Sequence, residues 1–216
     1  MKLPRLYPIV DSGALAARGI SVAACTQAFL EGGAQIVQLR HKGAWTRDWH
    51  VRATRVAALC RDAAVPLIID DRADMALLLG AGLHGGQDDL APADARRVIG
   101  PGAILGFSSH NPEQLRAAAQ EPVDYLALGP VFGTRSKDNP DPVVGVQQLR
   151  ECRLLSVLPL VAIGGITKEN ALTVLDAGAD SVAVIAGLLP ETCTTTAIRQ
   201  RMEEWQRLLK AQTRIS

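Results

Sequence analysis

The sequence predicts an α/β fold of the (β/α)8 TIM-barrel class. Three observations predict it. Eight short apolar runs alternate with helical patterns along 216 residues. Two late runs, Ala162-Ile163-Gly164-Gly165-Ile166-Thr167 and Val182-Ala183-Val184-Ile185-Ala186-Gly187, end in small residues and give way to helix-like segments. Polar residues gather where the strands end, which is where chemistry sits in such a barrel. A flavodoxin-like open sheet is the competing fold, and it needs only about five strands.

The elements follow in order. Leu6 to Val10 is a first strand closed by Asp11-Ser12-Gly13. A helix over 21–32 is capped by Ser21 and ended by Gly32-Gly33. Strand two runs from Gln35 to Arg40, and an amphipathic helix over 46–64 has Thr46 as its cap. Strand three, Pro66 to Ile69, ends on Asp70-Asp71, and a short helix over 72–80 stops at Gly80. Leu83-His84 is a minimal fourth strand, followed by a helix that Pro92 opens and Ile99 ends. Strand five is Ala103 to Phe107, and Asn111 caps a helix over 112–120.

Val123 to Leu128 is strand six, and a long polar loop runs from Gly129 to Pro142. A helix over Val146 to Val157, strand seven over Leu160 to Ile163 and a helix over Lys168 to Ala177 follow. Strand eight is Ser181 to Ile185, and 194–210 makes a final amphipathic helix. No linker is long enough to divide the chain, so a single domain over 1–216 is expected.

Composition narrows the function. At 48% hydrophobic and 21% charged, the chain has material for a sizeable core, and 4% aromatic content makes that core aliphatic, as parallel strands under helices require. A formal net charge of +1 gives no support for a nucleic-acid groove or a membrane-attracting face. No run approaches the length of a spanning helix. Met1 to Arg5 leads straight into a strand, with no room for a signal peptide, so a cytoplasmic enzyme or binding protein is expected. Cys25, Cys60, Cys152 and Cys193 are far apart and form no CxxC, which argues against a disulfide framework or a zinc site.

The strand ends carry the candidate chemistry. Gln38, Arg40 and Lys42 alternate, which places them on one face near the barrel mouth. Asp70-Asp71 and Gln87-Asp88-Asp89 put four acids at two neighbouring strand ends. One acid of each pair can serve a helix cap or a turn. Four are more than capping needs, and carboxylates beside cations suit a hard divalent ion and a polyphosphate. Ser108-Ser109-His110-Asn111 ends strand five, with His110 read as a hydrogen-bonding core histidine. Thr134-Arg135-Ser136-Lys137 lies on a loop long enough to close over an anionic substrate. The glycine turns at 164–165 and 185–187 are either tight connections that bind nothing or an anion site of backbone N–H groups after strands seven and eight. Together these residues read as two anion positions. One is a monophosphate on backbone, and the other a metal-bridged diphosphate held by Arg40, Lys42, Lys137, Asp71 and Asp89.

The segments Gln38-Leu39-Arg40-His41-Lys42, Ile69-Asp70-Asp71-Arg72, Leu83-His84-Gly85-Gly86-Gln87-Asp88-Asp89, Gly106-Phe107-Ser108-Ser109-His110-Asn111, Gly129 to Lys137 and Ile163-Gly164-Gly165-Ile166 resemble, in order, the motifs of the thiamine phosphate synthase family. The resemblance spans nearly the whole chain. It implies a (β/α)8 barrel that joins a hydroxymethylpyrimidine diphosphate to a thiazole phosphate, or its carboxylated form, and releases pyrophosphate. By the same resemblance, Asp71 and Asp89 hold Mg2+. Gln38, Arg40, Lys42 and Lys137 bind the diphosphate, with Asp70 and Gln87 in the same substrate set and Ser108 near the leaving group. Thr134 and Ser136 contact the thiazole, and Gly165 with Ile185 and Ala186 holds its phosphate.

The implied mechanism is dissociative, and the implied partners are these small molecules, with room for a homo-oligomer. Four positions depart from the family pattern: Asp70 where Asn is usual, His41 where an acid is common, Ser136 where Thr is common, and Ala186 where some members have Ser. The related thiazole tautomerase uses a histidine after strand five, so His110 keeps that alternative open. Lys42, Asp71, Gln87, Asp89 and Lys137 favour the synthase. A non-catalytic phosphate sensor would need neither two anion sites nor a metal pair.

Overall fold

The computed structural model of the chain describes residues 1–134 and 141–210. Eight parallel strands close into a barrel in chain order. They are β1 (Leu6–Asp11), β2 (Val37–Arg40), β3 (Leu67–Asp70), β4 (Gly82–Gly85), β5 (Leu105–Ser109), β6 (Tyr125–Leu128), β7 (Leu160–Ile163) and β8 (Ser181–Val184). Leu6 opposite Val182 and Pro8 opposite Val184 close the ring. The helices are α1 (Ser12–Ala16), α2 (Val22–Glu31), α3 (Arg47–Asp62), α4 (Ala73–Leu79), α5 (Pro92–Ile99), α6 (Pro112–Ala118), α7 (Gly145–Arg153), α8 (Ala171–Asp176) and α9 (Thr195–Lys210), the last preceded by a 3-10 turn over Ala186–Leu188. This is the expected fold class.

The expected caps are made. Ser21 accepts the Ala24 N–H at 3.1 Å, Thr46 that of Trp49 at 3.3 Å and Asn111 that of Gln114 at 2.8 Å. Other boundaries move. α1 was not expected, because five residues containing a glycine carry no helical period; it forms because Asp11 caps it through the Ala14 N–H at 2.8 Å. β5 starts two residues later than expected and carries Ser108 within the sheet. The helix expected from Lys168 begins only at Ala171, because Thr167 to Asn170 fold into a turn of their own. α7 stops at Arg153, short of Val157.

Strand alternation divides the core into two shells. Val37, Leu39, Ile69 and Leu126 face outward and pack under the helices. Tyr7, Ile9, Ile68, Tyr125, Val161 and Ala183 face inward and fill the barrel. Gly106 on β5 makes room for this filling: a Cβ there would lie 2.0 Å from Cζ of Tyr125. Cys25, Cys60 and Cys152 are buried free thiols, and burial raises each above the ordinary thiol range. Among the described residues no helix is long and apolar enough to cross a membrane.

Candidate active site

The C-terminal strand ends open into a cavity of about 780 Å3, within the range of ordinary ligand sites. Gln38, Arg40, Lys42, Asp70, Asp71, Gln87, Asp89, Ser108, Thr134, Gly165, Ile185 and Ala186 all line it. Every expected site residue that is described is therefore brought to one place. Ser136 and Lys137 lie outside the described residues.

β2 explains how polar side chains enter the barrel. Val37 and Leu39 point to the helices and are fully buried, so Gln38 and Arg40 must point inward. A ladder of charges then crosses the mouth. Arg40 Nη1 meets Asp11 Oδ2 at 2.5 Å, and its Nε lies 3.5 Å from Asp70 Oδ2. Lys42 Nζ is 3.1 Å from the same Asp70 oxygen and also pairs with Asp71. Asp70 is buried, and this oxygen has no aligned hydrogen bond; the charges of Arg40 and Lys42 hold it.

Burial and the neighbouring Asp71 raise Asp70 above the usual carboxylate range, against the pull of Lys42 and Arg40. Burial works against the Lys42 ammonium, but Asp70 and Asp71 outweigh it and hold Lys42 above its ordinary value. Asp89 is raised by burial and by the facing Asp71 carboxylate, while its bond from the Gly86 N–H acts the other way.

Capping accounts for little of the acid cluster. The residue at the N-terminal boundary of α4 is Arg72, and no side chain caps that helix, so neither Asp70 nor Asp71 serves there. Asp71 instead adopts a left-handed backbone, φ 63°, with its N–H donated to the His84 carbonyl at 2.8 Å. A non-glycine residue held there stores strain, which is characteristic of functional sites. Asp89 does perform a turn role, accepting the Gly86 N–H at 2.7 Å through Oδ2. Gln87 is anchored across the mouth by its Nε2, which donates to the Ser108 carbonyl at 2.6 Å.

Among the described residues, no three His, Cys, Asp or Glu side chains form a group able to hold a metal ion. Asp71 is nevertheless close enough to Asp89 to raise it. The described cavity lining carries two cations, Arg40 and Lys42, against five carboxylates, Asp70, Asp71, Asp88, Asp89 and Asp141. A polyanion entering such a wall needs further positive charge. Paired hard oxygen donors at that point fit a divalent ion that also takes phosphate oxygens.

Sequence reasoning missed the floor of the cavity. Tyr7 and Tyr125 join hydroxyl to hydroxyl at 2.7 Å, and Gln38 Nε2 donates to the Tyr7 hydroxyl at 3.4 Å. His84 Nδ1 bonds the Tyr125 hydroxyl at 2.9 Å and Nε2 the Ser108 hydroxyl at 2.8 Å. The His84 and Tyr125 rings stack with centroids 5.5 Å apart. Burial lowers His84 to about 4 and raises both tyrosines, so all three are neutral near pH 7. The available signal was parity: Tyr7, Gln38, His84, Ser108 and Tyr125 all occupy inward strand positions. His110 is hydrogen-bonded as expected, with Nδ1 donating to the Gly129 carbonyl at 2.7 Å, but it is half-buried and lines the cavity instead of lying in the core.

The opposite wall is backbone. Gly164 and Gly165 have φ of 98° and 62°, a region that favours glycine. A Cβ on Gly165 would lie 2.5 Å from the Gly133 carbonyl oxygen. Ala186 and Gly187 begin a 3-10 turn, whose first N–H groups have no partner within it. Ile166, Thr167, Ile185 and Ala186 line this end, and no cationic side chain does so among the described residues.

Comparison with known proteins agrees with this geometry. Residues 6–188 match the family model described as thiamine monophosphate synthase. The chain is 48% identical over 215 residues to a thiamine-phosphate synthase of Koribacter versatilis, covering 97% of each chain. It is 43% identical over 197 residues to that of Chloroflexus aurantiacus, covering 91% of this chain and 90% of the relative. The solved thiamine phosphate pyrophosphorylase from Pyrococcus furiosus superposes with a TM-score of 0.82 at 30% identity, over 96% of both chains. With its closed barrel and clustered strand-end motifs, the chain belongs to the thiamine monophosphate synthase family.

Proposed function

We infer that the protein is a thiamine phosphate synthase, which joins a hydroxymethylpyrimidine diphosphate to a thiazole phosphate and releases pyrophosphate. The carrying observation is one cavity with two unlike ends, a ladder of acids and cations at one and glycine backbone at the other, each of which suits an anion. Bound at Asp71 and Asp89, Mg2+ would neutralise charge that grows on the diphosphate as the carbon–oxygen bond breaks.

The chain's own residues supply the rest. Arg40 and Lys42 are held by Asp11, Asp70 and Asp71 with their cationic heads at the mouth, so positive charge faces the leaving group before it arrives. Ser108, bonded to His84, presents its hydroxyl at the boundary between the leaving group and the floor. The floor of Gln38, Tyr7, Tyr125 and His84 is neutral, aromatic and able to hydrogen-bond, which suits a flat aminopyrimidine. Glycine backbone holds the acceptor by its phosphate, with Thr134 on the thiazole, so that the thiazole nitrogen meets the methylene carbon as pyrophosphate departs. From the sequence, Ser136 joins Thr134, and Lys137 joins the diphosphate set. Both substrates are small molecules, and the cytoplasm is the proposed compartment.

The test is pyrophosphate release with both substrates, with each alone, and with magnesium removed by chelation. Release only with both substrates and the ion supports the reading. Release that ignores the thiazole phosphate would refute it. The synthase is favoured over the tautomerase because Lys42, Asp71, Gln87 and Asp89 gather at one mouth, a set that the tautomerase does not need.

A further inference from the structure

With no cationic side chain among the described residues at the glycine end of the cavity, a phosphate there depends on where main-chain N–H groups point. The two turns that carry those groups are held from behind by side chains that do not line the cavity. Asn170 Oδ1 accepts the Thr167 N–H at 2.8 Å, and its Nδ2 donates to the Gly165 carbonyl at 3.0 Å. A carbonyl and the following N–H share one rigid plane and point in opposite directions. Pulling the Gly165 carbonyl toward Asn170 therefore turns the Ile166 N–H away from Asn170.

The second turn is held by α9. The indole N–H of Trp205, which is fully buried, donates to the Gly187 carbonyl at 3.1 Å, and Arg201 Nη1 reaches the same oxygen at 3.5 Å. Glu204 then links the two turns, pairing with Lys168 at 2.7 Å and with Arg201 at 3.4 Å. Ala186 offers no hydroxyl, so the geometry of this backbone is the whole of the site at this position.

We propose that Asn170 and Trp205 are positioning residues for the acceptor's phosphate: they touch no ligand, and they hold the two turns in the shape a phosphate needs. This rests on the reading that the phosphate binds at these turns. Trp205→Phe keeps the packing and removes one N–H; Asn170→Ala removes both ties of the first turn. Each is assayed with thiazole phosphate and with the unphosphorylated thiazole alcohol, at saturating pyrimidine diphosphate.

The expected result is a rise of about fivefold in the thiazole phosphate KM in Trp205→Phe, the effect of one ordinary hydrogen bond, and a larger rise in Asn170→Ala, which loses two. The KM for the diphosphate and the rate with the alcohol stay unchanged. Loss of structure alone would move all of these together. An unchanged thiazole phosphate KM in both variants, or an equal effect on the alcohol, overturns the proposal. Gly165→Ala separates the two levels. If it leaves the thiazole phosphate KM unaltered, the phosphate does not bind at these turns. If it raises that KM while Asn170→Ala and Trp205→Phe do not, only the positioning role falls.

Discussion

At the scale of single residues, the mouth is short of positive charge. Arg40 and Lys42 face more carboxylates than they can neutralise, and two of those carboxylates, Asp71 and Asp89, face each other. Asp89→Ala should abolish magnesium-dependent synthase turnover while circular dichroism stays unchanged. Undiminished turnover at saturating magnesium would remove Asp89 from the proposed metal site. Asp70 invites a different experiment. Its carboxylate is buried between Arg40 and Lys42, where a diphosphate binding to them would meet it. Asp70→Asn removes that negative charge and keeps the shape, so the KM for the pyrimidine diphosphate should fall at fixed saturating magnesium. A raised KM would mean that the Asp70 carboxylate helps to bind the substrate.

At the scale of elements, short segments carry the site while the strands hold them still. The Gly164–Gly165 turn can form only because neither residue has a Cβ to meet Pro130 and Phe132. The turn and the start of the long loop after β6 are therefore packed against each other: Val131 and Phe132 donate their N–H groups to the Ile163 and Gly164 carbonyls at 2.8 and 3.0 Å. In sequence that loop goes on to Lys137, the cation proposed for the diphosphate. Lys137→Ala should lower kcat more than it weakens thiazole phosphate binding, measured by steady-state kinetics with each substrate varied in turn. An unaltered rate would exclude Lys137 from the chemistry.

At the scale of the whole molecule, the two ends of the barrel divide the labour. The N-terminal end is stapled by a device used twice. Arg96 of α5 pairs with Asp124 at 2.8 Å and donates to the Gly100 and Pro122 carbonyls at 3.2 and 3.0 Å, while Asp124 accepts the Leu105 N–H at 2.7 Å. Arg153 of α7 pairs with Asp180 at 3.0 Å and donates to the Leu158 carbonyl at 3.0 Å, and Asp180 accepts the Leu160 N–H at 2.8 Å. Each staple ties a helix to the starts of the next two strands, far from the mouth. Arg96→Ala should cost about 2 kcal/mol in a denaturant titration, because it strands carbonyls and a half-buried carboxylate. Both KM values should stay unchanged. A shifted KM would show that the two ends are coupled.

The sequence by itself determined the barrel and most of its site. Apolar runs with a period of two, helical runs with caps, and polar residues at the strand ends are local properties, set by side-chain chemistry within a few residues. The same locality placed Gln38, Arg40, Lys42, the acid pairs and the glycine turns at one mouth. Tertiary structure alone decided which of them touch. Asp11 meets Arg40 because β1 and β2 pair in that register. Tyr7 meets Tyr125 across 118 residues because the ring closes and Gly106 leaves the space. Asn170 and Trp205 reach the glycine turns because a turn replaces the first residues of an expected helix and α9 packs against the 3-10 turn after β8. Such contacts depend on closure and register, which are set by the packing of the whole chain and leave no mark within any one segment.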